Sequence, residues 1–384
     1  MEYTKLGQIA KIQTGPFGSQ LHQSDYKPSG IPCIMPCNIG SNLDIICDNI
    51  AYISEEDLNR LAKHKTQEGD IVYSRRGDIE KCAYISSKES GWLCGTGCLK
   101  VSIDSTIAIP KFIAYLLSTP DSKAWLVGNA VGTTMLNLNT TVLSDFPISL
   151  PDIETQQKVV DIIDAVADKI ELNKHINDNL EQQASSLLSD WISTYPCRTY
   201  KLSDICKYAN AKCETGNLTP QNYISTENML PNKKGIVEAS NIPTGKATCY
   251  KVDDILIANI RPYFQKIWKA DINGGCSADV LCIRANIESH SPILYWLLHQ
   301  DAFFEYVMTG AKGCKMPRGD KQHIMNWSID LPEVQYWADL ATQLGSIDQQ
   351  IAYNRIESIN LSNLRDTLLP KLMSGELEIN EIDC

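Results

Sequence analysis

The sequence predicts an α/β (α+β) protein with an internal duplication: two globular modules in tandem, each followed by a long helix, with the two helices as each other's partners. Three observations predict it. Val159, Ile163, Val166, Ile170, Asn173, Asn177, Leu180, Ala184, Leu187 and Trp191 follow one another in alternating steps of four and three, the spacing of a heptad seam. The seam returns 181 residues later as Leu340, Leu344, Ile347, Ile351, Asn354, Ser358, Leu361, Arg365, Leu368 and Leu372, with its polar centre in the same place. The segments ahead of the helices repeat too, so that residues 70–73 recur at 254–257. These repeats divide the chain into a module over 1–150, a helix over 151–195, a second module over 196–331, and a helix with a tail over 332–384.

Taken in order, Leu6, Ile9 and Ile12 form a short apolar stripe before the turn-forming Gly15, Pro16 and Gly18, and Leu202, Ile205 and Tyr208 repeat it 196 residues on. Strand-like runs follow at IPCIMPCNI and GDIVYSRRGD, and the second of these has its counterpart in DDILIANIRPYF. In both copies a buried strand delivers arginine to a loop. LKVSI and VLCIR are the next strand pair, and FIAYLLS and ILYWLLH the next helix pair. From residue 113 to residue 188 the offset between copies stays at 181, so length variation is confined to the globular parts.

The long helices are expected to start after Pro151 and Pro332, since proline fixes φ and needs no donor in a first turn. A helix from Ile153 to Trp191 would be about 60 Å long at 1.5 Å per residue and could not hide its own apolar seam. The second copy is the natural partner. Its centre is Val166, Ile170, Asn173 and Leu180 against Ile347, Ile351, Asn354 and Leu361, where a buried Asn173 and Asn354 would fix register at some cost in stability. Pro370 is expected to end or kink the second helix.

The net charge of −11 is unevenly placed. Residues 1–150 carry 13 basic and 15 acidic side chains and residues 196–331 carry 16 and 13, whereas each helical segment carries 3 and 9. The acidity therefore belongs to the helices, as a solvated face, and the near-neutral modules permit an anionic partner. No run of 18 apolar residues occurs, and the N-terminal MEYTKLGQIAKI is no signal peptide, so the chain reads as cytosolic with no membrane contact. Its 14 cysteines are scattered through a large chain and read as reduced thiols. The C-x3-C pairs Cys33/Cys37 and Cys94/Cys98 lack a matching histidine pair, so no metal is expected.

Two loops ahead of the long helices carry the strongest binding signal. The second holds Lys312, Lys315, Arg318 and Lys321 within ten residues, among glycines, as a phosphate-contacting segment does. The first has no lysine there but is rich in threonine and asparagine, which can hydrogen-bond to bases or phosphates. Candidates for phosphate or guanine contacts are thus Arg75, Arg76, Arg261, Lys312, Lys315, Arg318 and Lys321, with Ser19, Gln20, Thr133, Thr134 and Asn137 as polar readers. Catalytic signatures are missing: there is no phosphate-binding P-loop, nucleophile elbow, H-E-x-x-H or nuclease-like carboxylate order.

KLGQIAKIQTGPFGS, GDIVYSRRG, ISLPDIETQQKVVDIIDAVADKIELNKHINDNLE, IDLPEV and LRDTLLPKLMSGEL, in that order along the whole chain, resemble segments of the specificity subunits of type I restriction-modification systems. The resemblance implies two target-recognition domains separated by two conserved helices packed as an antiparallel coiled coil. It implies double-stranded DNA as ligand, each domain reading one half of a bipartite target in the major groove. Two methyltransferase subunits would dock on the helices and ATP-dependent restriction subunits could join. The chain would have no catalytic residue and no cofactor of its own, S-adenosylmethionine being bound by the methyltransferase. Gly345, Ser358 and Arg365 in or beside the second seam, and QYWADL after Pro332, depart from the pattern. Two other readings stay open on sequence grounds: a self-contained DNA methyltransferase or nuclease with diverged motifs, and a tandem protein-interaction scaffold.

Overall fold

A computed structural model describes residues 3–132 and 136–377 and resolves the chain into two compact units, residues 1–170 with 359–384 and residues 171–358. In the first unit the run Ile71–Ser74 is buried throughout and forms an inner strand of an antiparallel sheet ordered Ala10–Thr14, Cys98–Ile103, Ile71–Ser74, Cys82–Tyr84. Side chains alternate across a strand, so Ile71 and Tyr73 join Phe112, Ile113 and Leu117 of the helix Pro110–Ser118 on one face. Val72 joins Ile34, Ile39 and Cys94 on the other. A continuous apolar run is what a strand covered on both faces requires.

The second unit repeats this sheet as Cys206–Tyr208, Val280–Ala285, Ile255–Ala258, Ile267–Lys269. Ile255 and Ile257 face Leu294, Leu298 and Phe303, while Leu256 and Ala258 face Ile224, Tyr250 and Trp268. The smaller sheets differ. In the first unit Ile31–Ile34 sits between Ala51–Ile53 and Leu93–Cys94. In the second, Gly274–Cys276 lies between Tyr223–Ile224 and Lys246–Tyr250, and Lys212–Glu214 adds an outer strand.

Each module is closed by its own ends. Tyr3–Lys5 pairs antiparallel with Pro147–Ser149, and Cys197–Lys201 pairs with Ser328–Pro332. The first long helix is continuous over Ile153–Thr194. The second runs over Trp337–Ser374 and corrects one expectation. It starts five residues after Pro332, which is the last residue of a strand; a 3-10 turn at Val334–Tyr336 intervenes, and the Trp337 indole donates to the Pro332 carbonyl at 2.8 Å. It runs four residues beyond Pro370, where Leu369, Leu372 and Met373 are held in the core of the first unit.

The seam is present in both units. Val159 and Ile163 share the first unit's core with Leu369 and Leu372, and Val166, Ile170 and Leu361 are half-buried. In the second unit Ala184, Leu188 and Trp191 pack in one cluster with Leu340, Leu344 and Ile347, with Leu180 and Ile351 at its edge. Leu188 is more deeply buried than the expected Leu187, the drift of a 3.6-residue helix from a strict 3.5 repeat. The antiparallel sense is fixed by Asn173, whose amide donates to Glu357 (2.8 Å) and Ser358 (3.3 Å), and by Asn354, whose amide donates to the Asn177 side chain at 2.8 Å. Asn173 and Asn354 are both buried, and the contact between them runs from the Asn173 amide to the Asn354 backbone carbonyl at 3.4 Å.

Candidate nucleic-acid interface

Each unit brings the exit of its inner strand against a pair of bridged residues ahead of its last short helix. In the first unit Val131 and Asn137 exchange backbone hydrogen bonds, and Asn137 also bridges to Arg76. The Leu138 amide donates to the Arg75 carbonyl at 2.9 Å, and the Arg75 amide to the Gly97 carbonyl at 2.8 Å. The Arg75 guanidinium lies 5.6 Å from the centre of the exposed Phe17 ring, and its Nε is buried without a partner. Arg76 is exposed. Gly15 sets this edge: a Cβ there would come 2.0 Å from the Gly95 carbonyl, so only glycine lets the two segments approach.

The second unit builds the same edge 181 to 184 residues later. Lys312 and Arg318 exchange backbone hydrogen bonds of 2.9 Å each, Arg318 bridges to Ile260, and the Arg261 amide donates to the Pro317 carbonyl at 2.7 Å. Counting from the strand, Asn259, Ile260 and Arg261 stand where the first unit has Arg75, Arg76 and Gly77. Gly77 has φ 78° and Arg261 φ 52°, so the second unit places an arginine in a left-handed position that the first gives to glycine.

The strands behind both edges are fixed by equivalent ion pairs around a buried carboxylate, with a buried lysine in the first unit and a partly exposed arginine in the second. Asp70 meets Lys100 at 3.5 Å and accepts from Ser102 at 2.5 Å. Asp254 takes a bidentate pair of bonds from Arg284, at 2.7 and 2.5 Å.

The candidate side chains are not equivalent once placed. Arg76, Arg261 and Lys315 are exposed, with no ion pair among the described residues. Lys312 is bound to Asp320 at 2.5 Å; this bond, with two backbone amides, holds the Asp320 carboxyl down at about 2. Arg318 meets Asp279 at 3.2 Å. Lys321 opens the helix Lys321–Met325, outside the bridged segment, with its ammonium 5.7 Å from the Tyr208 ring centre. Ser19 is exposed, but the Gln20 carboxamide accepts from the Phe17 amide at 3.3 Å and closes its own turn. The Asn137 side-chain oxygen is buried without a partner, as is that of Asn259, which sequence reasoning passed over. Thr133 and Thr134 lie outside the described residues.

Among the described residues no group of three or more His, Cys, Asp and Glu is arranged to hold a metal ion, and no helix is long and apolar enough to cross a membrane.

Residues 1–182 match a family model described as "Type I restriction modification DNA specificity domain". The chain is 30% identical over 139 residues to the Type I restriction enzyme HindI specificity subunit of Haemophilus influenzae, an alignment spanning 35% of this chain and 30% of that relative. It is 22% identical over 399 residues to the MjaIX specificity subunit of Methanocaldococcus jannaschii, covering 93% of this chain and 89% of the relative. The crystal structure of a type I restriction-modification S subunit from M. genitalium superposes with a TM-score of 0.56 at 16% identity, over 97% of this chain and 96% of that one, a likeness of fold.

Proposed function

We propose that the chain is a DNA-recognition subunit of the type I restriction-modification specificity family, and that its two units each read one half of a bipartite target through the strand-exit edge just described. The observation that carries this reading is the repetition of that edge. Two units of one chain present exposed cations on the same edge, Arg76 in one and Arg261 with Lys315 in the other, at neighbouring but not identical positions. Cations there would neutralise phosphates and set register, while hydrogen-bonding and apolar groups beside them would read base edges. Lys312 and Arg318, each tethered by a carboxylate, are held in fixed positions for the same purpose.

The long helices are the proposed dock for methyltransferase subunits. In the second unit the second helix leaves Tyr353 and Ile356 exposed, and in the first unit Ile359 and Leu364, although the seam is already satisfied. S-adenosylmethionine would be held by that partner, which supplies the methyl group; this chain would supply position. Because the modules are near neutral, the chain alone is expected to bind DNA weakly, and the assembled complex tightly.

The test is charge reversal, Lys315→Glu with Arg318→Glu, in the complex assembled with methyltransferase subunits. Loss of two phosphate contacts should lower affinity across all sequences and reduce the slope of log affinity against log salt by about 2. Unchanged affinity and slope would remove this edge from the interface. Methyl transfer by the purified chain alone would instead favour an enzyme.

A further inference from the structure

Residues 261–265 form a turn whose backbone is strained at both ends. Arg261 and Gln265 have φ of 52° and 51°, two side-chain-bearing residues in the left-handed region on either side of the 3-10 turn Pro262–Phe264. Such conformations are unfavourable and persist where neighbouring structure imposes them. Here the imposition is visible: the Arg261 amide is tied to Pro317 at 2.7 Å, the Phe264 carbonyl accepts from Asn232 at 2.8 Å, and the Gln265 carbonyl accepts from Lys233 at 2.9 Å. The turn so held presents Tyr263, 48% exposed, beside Phe264 at 37%.

The first unit shows what the same position does otherwise. Five residues beyond Ser74 it has Ile79, which is 1% exposed; five residues beyond Ala258 the second unit has Tyr263. The connection is one residue longer in the second unit, eight residues between Ala258 and Ile267 against seven between Ser74 and Cys82, and its turn buries Pro262 and leaves the Tyr263 ring outward. The bridged segment alongside adds Met316, 50% exposed, among Lys315, Arg318 and Arg261. Cations suit phosphates, and the Tyr263 hydroxyl could donate to one as well, but the ring that carries it is apolar. That ring suits the one apolar substituent in the major groove, the 5-methyl group of thymine.

We propose that Tyr263 is a specificity-determining residue of the second unit that packs against a thymine 5-methyl group while the neighbouring cations hold phosphates. The proposal rests on the reading of this edge as a DNA interface, and its test separates the two. Affinity of the assembled complex is measured on target duplexes in which each thymine in turn is replaced by deoxyuridine, which lacks only the methyl group. The wild type should lose about fourfold at one position, the effect of burying one methyl group. Tyr263→Ala should bind the thymine duplex more weakly and lose the discrimination at that position, and Tyr263→Phe should keep both. A Tyr263→Ala complex that retains the wild-type ratio of thymine to deoxyuridine affinity at every position would overturn the proposal, as would a target in which no wild-type position discriminates. Indifference of DNA affinity to the Lys315→Glu, Arg318→Glu pair would instead overturn the wider reading.

Discussion

Asp70 with Lys100 and Asp254 with Arg284 stand 184 residues apart and make the same link between strands around a buried carboxylate, yet five residues past each strand Ile79 is buried and Tyr263 is not. The two units keep what burial enforces and differ where burial does not reach. A buried charge without its partner is costly, so the pair is retained with a different cation. A turn at the edge carries no such constraint, and there the second unit spends backbone strain on an arginine where the first has Gly77.

The largest test of the shared part is removal of its carboxylate. Asp70→Ala should destabilise the first unit by about 3–5 kcal/mol, because it leaves the buried Lys100 without its carboxylate, and Asp254→Ala should destabilise the second unit by less, because Arg284 is about a third exposed and can turn to solvent. Chemical denaturation should show each variant weakening a different unit. Loss confined to the same transition in both would break the equivalence.

The units also differ in how their own long-helix segments are anchored. In the first, Lys111 (2.7 Å) and Tyr115 (2.5 Å) both reach Asp164. In the second, Lys269 (2.6 Å) and Trp296 (2.8 Å) reach Asp348, and Pro292 and Gly345 stand where Lys111 and Asp164 would be. The exchange leaves a cavity of about 730 Å³ with Glu181 in its wall. Burial, reinforced by Asp178, pushes the Glu181 carboxyl up to about 7. Because the folded form then holds its proton more tightly than the unfolded one, stability should fall as pH rises from the ordinary glutamate range to about 7. Glu181→Gln should abolish that dependence and gain about 1–2 kcal/mol at pH 8 with no gain near pH 4, after allowance for screening. A pH profile identical to the wild type would show that Glu181 is solvated.

Arg261→Gly makes the second unit like the first at the strand exit. It should relieve about 1 kcal/mol of left-handed strain while weakening DNA binding by the assembled complex. A variant that gained stability and kept full affinity would remove Arg261 from the interface.

The frame was legible in the sequence and the edge only partly so. Heptad spacing and a constant offset come from repeated burial, so the seam from Val159 to Trp191 and its partner could be read without coordinates. Pro332 misled because the local rule for proline yielded to a strand pairing, and the helix runs four residues beyond Pro370, where Leu369 and Leu372 pack in the core. At the edge, a run of cations is visible in sequence, but its engagement by Asp320 and Asp279 is not, nor is the coincidence of Arg261 with Gly77. Tyr263 gave no signal at all, since exposed and buried aromatics look alike until the turn is placed.

The central claim is that one chain carries two readers. It is tested most directly by substituting every base pair of the target, one at a time, and measuring affinity for complexes carrying Arg76→Ala or Lys315→Ala. The account predicts that the two variants change base preference in different halves of the target, separated by an indifferent spacer. Changes falling in the same half, or spread evenly over both, would contradict it.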